Sequence, residues 1–345
     1  MSLTPSDFSG SDSIRALQTM ITGYRTTQMI SVVAKLSIAD LLKDGPKGVK
    51  ELAQVTNTHA PSLYRLLRAV ASLGIFAEDD QRRFALTALA EPLRSDVPGS
   101  LRAIAIFAGE LWRWQAWGHL LESVQTGKTA SHHAYGMEWF DYLAQHPEAG
   151  AVFDAAMATS ERHHAVVAAY DFSKIATLVD VGGGKGILLA AILQANPQLH
   201  GVLCDTPQVT TRAYELLKEA GVADRCEIVE GDFFTGLPSG GDAYLLSLIL
   251  HDWEDEQAIK LLENCHRTMN AQGRLLVIEQ VVPSGNEPSL SKLLDITMMV
   301  ETGGHERTEA EFRSLFTSAG FELTKILQTQ APECVLEGIR VEKAR

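Results

Sequence analysis

Apolar residues in the first quarter of the chain recur about every 3.6 positions, the spacing of an amphipathic helix. Turn residues interrupt this pattern at Gly45-Pro46, at Thr56-Asn57 and at Gly74. After Gly74, short apolar runs flank a polar tip. The pattern therefore predicts helices over residues 30–44, 50–55 and 60–73, followed by two short strands at 75–77 and 84–86. Three helices and a small hairpin are the layout of a winged helix.

The segment that precedes these elements has an apolar face with no clear partner in its own module. Leu17, Met20, Ile21 and Tyr24 recur at helical spacing within residues 14–29. Because an apolar helix face needs a covering surface, we expect the residues before about 93 to form a homodimer.

A winged helix also suggests DNA binding, but the tip of this hairpin is acidic. Glu78, Asp79 and Asp80 precede Arg82 and Arg83. The chain of 345 residues has 30 Lys plus Arg against 43 Asp plus Glu, which gives a formal net charge of −13. Since this excess repels phosphate backbones, we expect no nucleic-acid partner and a packing role for the module.

From residue 176 the pattern changes to apolar runs that alternate with helical stretches. Strands are predicted at 177–181, 201–205, 227–230, 243–248 and 274–280, and helices at 187–194, 209–219, 254–269 and 309–319. This alternation predicts an α/β fold with a doubly wound, mainly parallel sheet of the Rossmann-like kind. We predict a helical, winged-helix-like first domain over residues 1–105. A helical connector and the α/β domain follow over residues 106–345.

The remaining composition is that of a globular protein, with 46% hydrophobic and 21% charged residues. The four cysteines are far apart, as in a protein whose thiols stay reduced. The first residues are polar and acidic, unlike a signal peptide, and no apolar run reaches the ~20 residues of a spanning helix. We therefore expect a cytoplasmic protein with no membrane partner.

The most informative motif is the glycine-rich run at residues 179–186, between a predicted strand and a predicted helix. Such a loop turns sharply and allows a ligand to approach the backbone. It is not a P-loop, because Lys185 is followed by Gly186. The glycines at 182, 184 and 186 also depart from the dinucleotide-binding spacing.

Three acidic residues mark the ends of successive predicted strands. Asp180 precedes the glycines, Asp205 ends the second strand, and Asp232 follows the third strand beside Phe233. A carboxylate in the place of Asp205 can bind ribose hydroxyls in sites for either NAD or S-adenosylmethionine. At the third strand an acid can bind the adenine amine while the aromatic ring covers the base. Each acid alone is also a reasonable helix N-cap, but the set of three favours a methyltransferase.

His251 follows the fourth strand, at the sheet end where open α/β folds place their sites, and is the candidate general base. Glu279 and Glu306 follow in similar positions. Glu279 is embedded among apolar strand residues, and a buried carboxylate needs a partner. Glu306 also suits a capping role before the helix at 309–319.

Four ordered motifs, at 180–184, 231–234, 251–253 and 303–308, resemble the small-molecule O-methyltransferases typified by plant caffeic acid O-methyltransferase and its bacterial relatives. The resemblance covers nearly the whole chain and implies that the first domain dimerises. It implies that His251 is the general base and that Glu279 and Glu306 flank and orient it. The residues that it places at an S-adenosylmethionine site are Gly182, Asp205, Asp232 and Phe233, and we also expect Gly184 and Ser247 at this site.

Ser247 is a departure, since plant members often have a lysine just before the His-Asp-Trp motif. We expect a flat aromatic acceptor at a pocket that includes Trp112, Met157, Asp252 and Met298. The reaction implied is methylation of a phenolic or enolic hydroxyl, in which a histidine with a pKa near ~6.5 accepts the proton.

Two other functions remain open from the sequence. One is an NAD-dependent dehydrogenase, which the glycine spacing and the Gly231-Asp232-Phe233 element disfavour. The other is a ligand-sensing winged-helix regulator with a degenerate methyltransferase fold. We expect no metal, because the chain has no HExxH motif and its paired histidines, at 132–133 and 163–164, are adjacent in sequence.

Overall fold

The computed structural model of the chain describes residues 10–158, 161–210 and 213–341, which divide into two units. The first unit contains the described residues through 119 and those from 140 to 158. The second contains residues 120–139 and those from 161 onward. The predicted domain boundary at residue 105 stays a prediction.

Helices predominate among the described residues before 177, and strands alternate with helices after that point. The helices are α1 (Gly10–Ile21), α2 (Gly23–Lys35), α3 (Ile38–Leu42), α4 (Val49–Val55), α5 (Ala60–Ser72), α6 (Arg102–Ala108), α7 (Leu111–Trp117), α8 (Leu120–Thr126), α9 (Ala130–Tyr135), α10 (Trp139–Gln145), α11 (Pro147–Met157), α12 (Glu161–Ala169), α13 (Ile187–Ala195), α14 (Pro207–Thr210), α15 (Ala213–Glu219), α16 (Asp255–Thr268), α17 (Leu290–Glu301) and α18 (Glu309–Ser318). The strands are β1 (Lys47–Gly48), β2 (Phe76–Glu78), β3 (Arg83–Leu86), β4 (Thr177–Val181), β5 (His200–Asp205), β6 (Cys226–Glu230), β7 (Ala243–Ser247), β8 (Arg274–Glu279), β9 (Val281–Val282), β10 (Arg307–Thr308), β11 (Phe321–Gln328) and β12 (Cys334–Arg340).

The first unit contains the predicted three-helix and hairpin module, with one correction. The prediction of one helix over 30–44 is wrong, because the helical stretch is interrupted between α2 and α3 at Ser37, whose φ is 53°. A left-handed residue ends a helix whatever the hydrophobic pattern around it. The short strand β1, which the sequence analysis does not predict, pairs antiparallel with β3 and completes a three-stranded sheet.

The apolar face that the sequence predicts near the start of the chain is exposed. Leu17 is 58% exposed and Met20 is 67% exposed, and Ile14 and Ile21 are exposed to a similar degree. Tyr24 is also half exposed, and its ring lies 6.2 Å from that of Trp114. This face of α1 and the start of α2 is therefore suited to contact another molecule.

The second unit is built on a seven-stranded sheet in the order β11-β12-β8-β7-β4-β5-β6. The neighbours from β8 through β6 are parallel, as predicted, while β11 and β12 form an antiparallel hairpin at one edge. The sequence analysis does not predict this hairpin. Buried apolar clusters cover both faces, one including α13 and the other including α16 and α18. The sheet is therefore the doubly wound sheet that the alternation indicates.

The strand order reverses between β4 and β7, which lie side by side although β5 and β6 follow β4 in sequence. Ligands of open α/β sheets bind beyond the carboxyl ends of the strands at such a reversal. The glycine run follows β4, and His251 lies in a 3₁₀ turn, Leu250–Asp252, shortly after β7. No helix among the described residues is long and apolar enough to span a membrane.

Candidate active site

At Gly182 and Gly183 the glycine loop after β4 lies too close to neighbouring side chains to leave room for a Cβ atom. A Cβ atom on Gly182, whose φ is 69°, would lie 2.5 Å from Cδ1 of Ile249. One on Gly183 would lie 2.4 Å from Oδ2 of Asp180. Gly184 has open space where its side chain would be. The loop therefore presents bare backbone toward open space at Gly184, as a bound ligand requires.

Asp205, the last residue of β5, is joined to this loop by a hydrogen bond. Its Oδ2 accepts the Gly184 N–H at 2.8 Å, and its Oδ1 accepts the Thr206 N–H at 2.7 Å. A carboxylate offers about four lone-pair sites, so one such group can accept several hydrogen bonds at once. The arrangement fits a ligand with hydroxyl groups next to the backbone of Gly184.

The other predicted cofactor residues lie at the ends of further strands of the same sheet. Asp232, after β6, is exposed and accepts the Phe234 N–H at 2.8 Å. The Phe233 ring is half-buried, and its Cε1 would lie 3.6 Å from a Cβ on Gly182. Ser247 is half-buried at the end of β7. The structure thus brings Phe233 against the glycine loop and leaves the Asp232 carboxylate in contact with solvent.

Asp180 is a buried carboxyl group beneath the glycine loop. Neither of its oxygens has a hydrogen-bond partner among the described residues. Burial raises the pKa of Asp180 to about 7, and the nearby charge of Asp205 adds to the effect. A positively charged ligand at the loop would relieve both costs, because it favours the ionised carboxylate.

His251 is buried and has three carboxyl groups around its ring. Its Nδ1 lies 2.8 Å from Oε1 of Glu306 and 3.4 Å from Oε2 of Glu279. Its Nε2 lies 3.8 Å from Oδ1 of Asp252. Both glutamates that the sequence places near this histidine therefore contact the same ring nitrogen, and Nε2 is the nitrogen that remains for a proton transfer.

The two glutamates differ in what else they hold. Oε1 of Glu279 accepts the backbone N–H groups of Ile249, Leu250 and His251, at 3.1, 2.9 and 3.3 Å. Glu279 therefore supports the turn that carries the histidine, while Glu306 makes the shorter contact with the ring. The Glu306 N–H donates to Oδ1 of Asp295 on α17 at 2.9 Å.

The carboxyl groups change the protonation of His251. Burial alone would lower the pKa of His251, but the charges of Glu279, Asp252 and Glu306 outweigh burial and raise it to about 10. The ordinary value of ~6.5 that the sequence analysis uses is therefore wrong for this residue. For the carboxyl groups burial acts in the opposite direction: it raises the pKa of Glu279 and raises that of Asp252 to about 6. The positive charge of His251 opposes both shifts.

The segment at 303–308 packs directly against the His251 turn. A Cβ on Gly304 would lie 2.1 Å from the backbone oxygen of His251, so no side chain fits there. Arg307 is buried and donates hydrogen bonds to the backbone oxygens of Leu250 and Trp253. The sequence analysis does not identify Arg307, and its one signal is its place directly after Glu306.

The four predicted acceptor-pocket residues lie in both units. Trp112 belongs to an aromatic cluster of the first unit, with ring centroids 5.7 Å from Phe107 and 6.0 Å from Tyr142. Met157 ends α11 of the same unit and is 38% exposed. In the second unit, Met298 is buried on α17 and Asp252 is half-buried beside His251.

The described residues contain one group of three potential metal ligands, with ligand atoms within 4.8 Å of one another. The group consists of His251, Glu279 and Glu306, the same residues as the candidate base and its partners. Neutral imidazole nitrogens are what metals bind, and the carboxylates here favour a protonated His251. The absence of a metal stays a prediction.

Comparison with known proteins finds O-methyltransferase relatives along most of the chain. Residues 117–322 match the O-methyltransferase domain, and residues 18–96 match the O-methyltransferase dimerisation domain. The chain is 49% identical over 320 residues to phenazine O-methyltransferase PhzM of Lysobacter antibioticus, covering 92% of this chain and 94% of that protein.

Two solved structures illustrate the likeness of fold. The LaPhzM crystal structure has a TM-score of 0.91 and 48% sequence identity, covering 95% of this chain and 99% of that one. The O-methyltransferase NcsB1 from neocarzinostatin biosynthesis, in complex with S-adenosylmethionine and 2-hydroxy-5-methyl naphthoic acid, has a TM-score of 0.80 and 31% identity. The match covers 92% of this chain and 96% of that one.

Proposed function

The chain belongs to the S-adenosylmethionine-dependent O-methyltransferase family, and we propose that it methylates a phenolic or enolic hydroxyl of an aromatic natural product, with His251 as the general base. The observation that carries this proposal is the His251 ring, held at Nδ1 by Glu306 beyond the carboxyl end of β7. The chain is a methyltransferase, so the dehydrogenase and the regulator that the sequence leaves open are set aside.

The residues around the glycine loop fit the cofactor of the family. The open side of Gly184 admits a ligand, Asp205 supplies acceptors beside it, and the buried Asp180 suits a cation. S-adenosylmethionine supplies an electrophilic methyl group on a positively charged sulfonium, and that charge opposes protonation of His251. We propose that Asp205 binds the ribose hydroxyls and that Asp232, Phe233 and Ser247 hold the adenosine end.

The histidine solves the main chemical difficulty of the reaction, which is that a phenol of pKa near ~10 is a poor nucleophile at neutral pH. Neutral His251 accepts the phenolic proton at Nε2 as the oxygen attacks. Its Nδ1–H donates to Glu306, which fixes the tautomer and stabilises the imidazolium that forms. The carboxyl groups raise the pKa of His251, so the neutral ring is a stronger base than an ordinary histidine but forms only as the pH rises toward that pKa or as the sulfonium charge lowers it.

The acceptor is the least defined part of the proposal. The relatives named for a phenazine and a naphthoate act on flat aromatic molecules, which supports an aromatic acceptor here. We propose that Asp252 and Met298 of the second unit line its pocket, since flat rings suit methionine side chains. The match to a dimerisation domain and the exposed face of α1 support a homodimer.

The test is transfer of a tritiated methyl group from S-adenosylmethionine to a panel of phenols, with wild type, His251→Ala and His200→Ala. His200 is exposed at the start of β5, at the opposite end of the sheet, and serves as the matched control. We expect His251→Ala to lower turnover ~10²–10⁴-fold with cofactor affinity unchanged, and His200→Ala to behave as wild type. Wild-type turnover by His251→Ala on a phenol of pKa near ~10 would refute the base.

A further inference from the structure

We propose that Arg307 is a positioning residue for His251, a role that rests on the proposed function of His251 as base. Arg307 is fully buried, and its guanidinium donates hydrogen bonds to the backbone oxygens of Leu250 and Trp253. It acts on the backbone that carries the ring.

The guanidinium of Arg307 holds both ends of the short turn in which His251 lies. Nη1 donates to the backbone oxygen of Leu250, and Nη2 donates to that of Trp253, each at 2.8 Å. These two carbonyls bracket His251 and Asp252 in the sequence. The planar guanidinium therefore fixes the distance between Leu250 and Trp253, the residues before and after His251 and Asp252.

The same guanidinium is anchored to the helix that follows the turn. Its Nε and Nη2 donate to Oδ1 of Asp255 at 2.9 and 2.8 Å, and Asp255 is the first residue of α16. The Asp255 side chain is 61% exposed, so the ion pair connects the buried fork to the surface. Arg307 is thus fixed on one side by a carboxylate and on the other by the turn.

The backbone of Arg307 also positions the carboxylate that contacts the ring. Arg307 pairs with Val281 in the parallel β9–β10 ladder, two residues after Glu279, and Glu306 directly precedes it. Side chains of successive extended residues point to opposite sides. Glu306 therefore reaches Nδ1 of His251, while Arg307 reaches the backbone oxygens of Leu250 and Trp253.

Arg307 therefore links three parts whose relative positions must stay fixed: the turn that carries His251, Glu306 and the start of α16. The 2.8 Å contact between Nδ1 of His251 and Oε1 of Glu306 depends on these positions. A lysine retains the positive charge but has no planar fork, so it cannot serve both carbonyls and Asp255 in the same geometry.

The experiment compares Arg307→Lys and Arg307→Gln with Arg313→Gln in the full-length protein. Arg313 is the control, because it also pairs with a carboxylate, that of Glu309, and donates to a backbone oxygen, that of Leu323, but it is half exposed and lies on α18. We expect turnover of a phenol of pKa near ~10 to fall ~10²-fold in Arg307→Gln and by less in Arg307→Lys. The KM for S-adenosylmethionine should change little, and Arg313→Gln should match wild type.

The same substitutions in the His251→Ala background separate positioning from a general structural effect. If Arg307 acts through the ring, adding Arg307→Gln or Arg307→Lys to His251→Ala should change turnover by less than twofold. An equal loss in both backgrounds, or wild-type turnover by both single variants, overturns the positioning role. Wild-type turnover by His251→Ala itself would instead overturn the proposed base. If Arg307→Gln does not fold, Arg307→Lys carries the comparison.

Discussion

Nδ1 of His251 lies 2.8 Å from Oε1 of Glu306, although 55 residues separate them in the chain. Both groups are buried, and a second carboxylate, that of Glu279, lies 3.4 Å from the same nitrogen. A hydrogen bond to one ring nitrogen determines which nitrogen is left to accept a proton. The pair therefore directs the chemistry of His251 to Nε2.

The division between the two glutamates leads to a first prediction. Glu306→Gln should lower turnover by ~10-fold or more, because the amide cannot stabilise the imidazolium as a carboxylate does. Glu279→Gln should lower turnover less but should reduce the melting temperature, since Glu279 accepts three backbone N–H groups of the turn. Steady-state kinetics and thermal unfolding of both variants check this.

A surface carboxylate provides the comparison for both glutamates. Glu322→Gln, on an exposed position of β11, should leave turnover and melting temperature as in wild type. If Glu279→Gln lost more turnover than Glu306→Gln at unchanged stability, the assignment of the two roles would be reversed.

Strong periodicity made the centre of the fold predictable. β4 agrees with its predicted range, and β5 begins one residue earlier than predicted, because a buried parallel strand is a continuous apolar run. The edge hairpin was not predictable in the same way. β11 alternates apolar and polar residues, and a register shift between Leu323 and Lys325 interrupts its pairing. Ser37 breaks a helix through its φ alone, which no hydrophobic pattern records.

The candidate site also has parts that the sequence predicts and parts that it does not. The resemblance to the O-methyltransferases placed Glu279 and Glu306 beside His251, whereas the sequence pattern alone indicated only that each lies near the end of a strand or before a helix. Arg307 could not be predicted, since an arginine in a sequence ordinarily indicates an exposed charge. The raised pKa of His251 was also beyond the sequence, because it depends on the distances of three carboxyl groups from one ring.

A second prediction concerns cofactor binding. Asp205→Ala should weaken S-adenosylmethionine affinity by ~10–100-fold, since charge-assisted hydrogen bonds contribute ~1.5–3 kcal/mol. Part of the loss should come from the Gly184 N–H, which Asp205 accepts in the protein. Calorimetry measures the affinity, with exposed Asp224→Ala as the control. Unchanged affinity in Asp205→Ala would remove Asp205 from the site.

A third prediction follows from the buried carboxyl group of Asp180. The pKa of Asp180 is about 7 in the folded protein against 3.8 ordinarily, so the folded state binds the proton more tightly. The stability that this provides is complete below pH 3.8 and is lost as the pH rises through 7. Asp180→Asn, which cannot ionise, should therefore be more stable than wild type at pH 8.

Thermal unfolding without cofactor checks the Asp180 prediction. The melting temperature of Asp180→Asn relative to wild type should rise between pH 5 and pH 8, by roughly 2–4 °C for each kcal/mol. Exposed Asp224→Asn should show no such rise. Saturating S-adenosylmethionine should reduce the advantage of Asp180→Asn, because a cation at the loop favours the wild-type carboxylate. A constant difference across pH would contradict the buried ionisation of Asp180.

The fourth prediction uses pH to identify the base. The pKa of His251 is raised to about 10 in the free protein, so imidazole NMR of the free enzyme should show this ring still protonated well above pH 6.5. Since kcat/KM reports the ionisations of the free enzyme, it should rise with pH toward 10. A phenol of pKa near ~10 ionises over the same range, so the wild-type profile alone cannot show which of the two groups titrates.

The Glu306→Gln variant distinguishes the phenol from His251, because removing one negative charge lowers the pKa of His251 and shifts the rising limb of its profile to lower pH. The phenol's own ionisation is unaffected by that substitution, so His251→Ala should keep a limb near ~10. If the Glu306→Gln limb coincides with that of His251→Ala, the group that titrates in the wild-type profile is the acceptor and His251 is not the base.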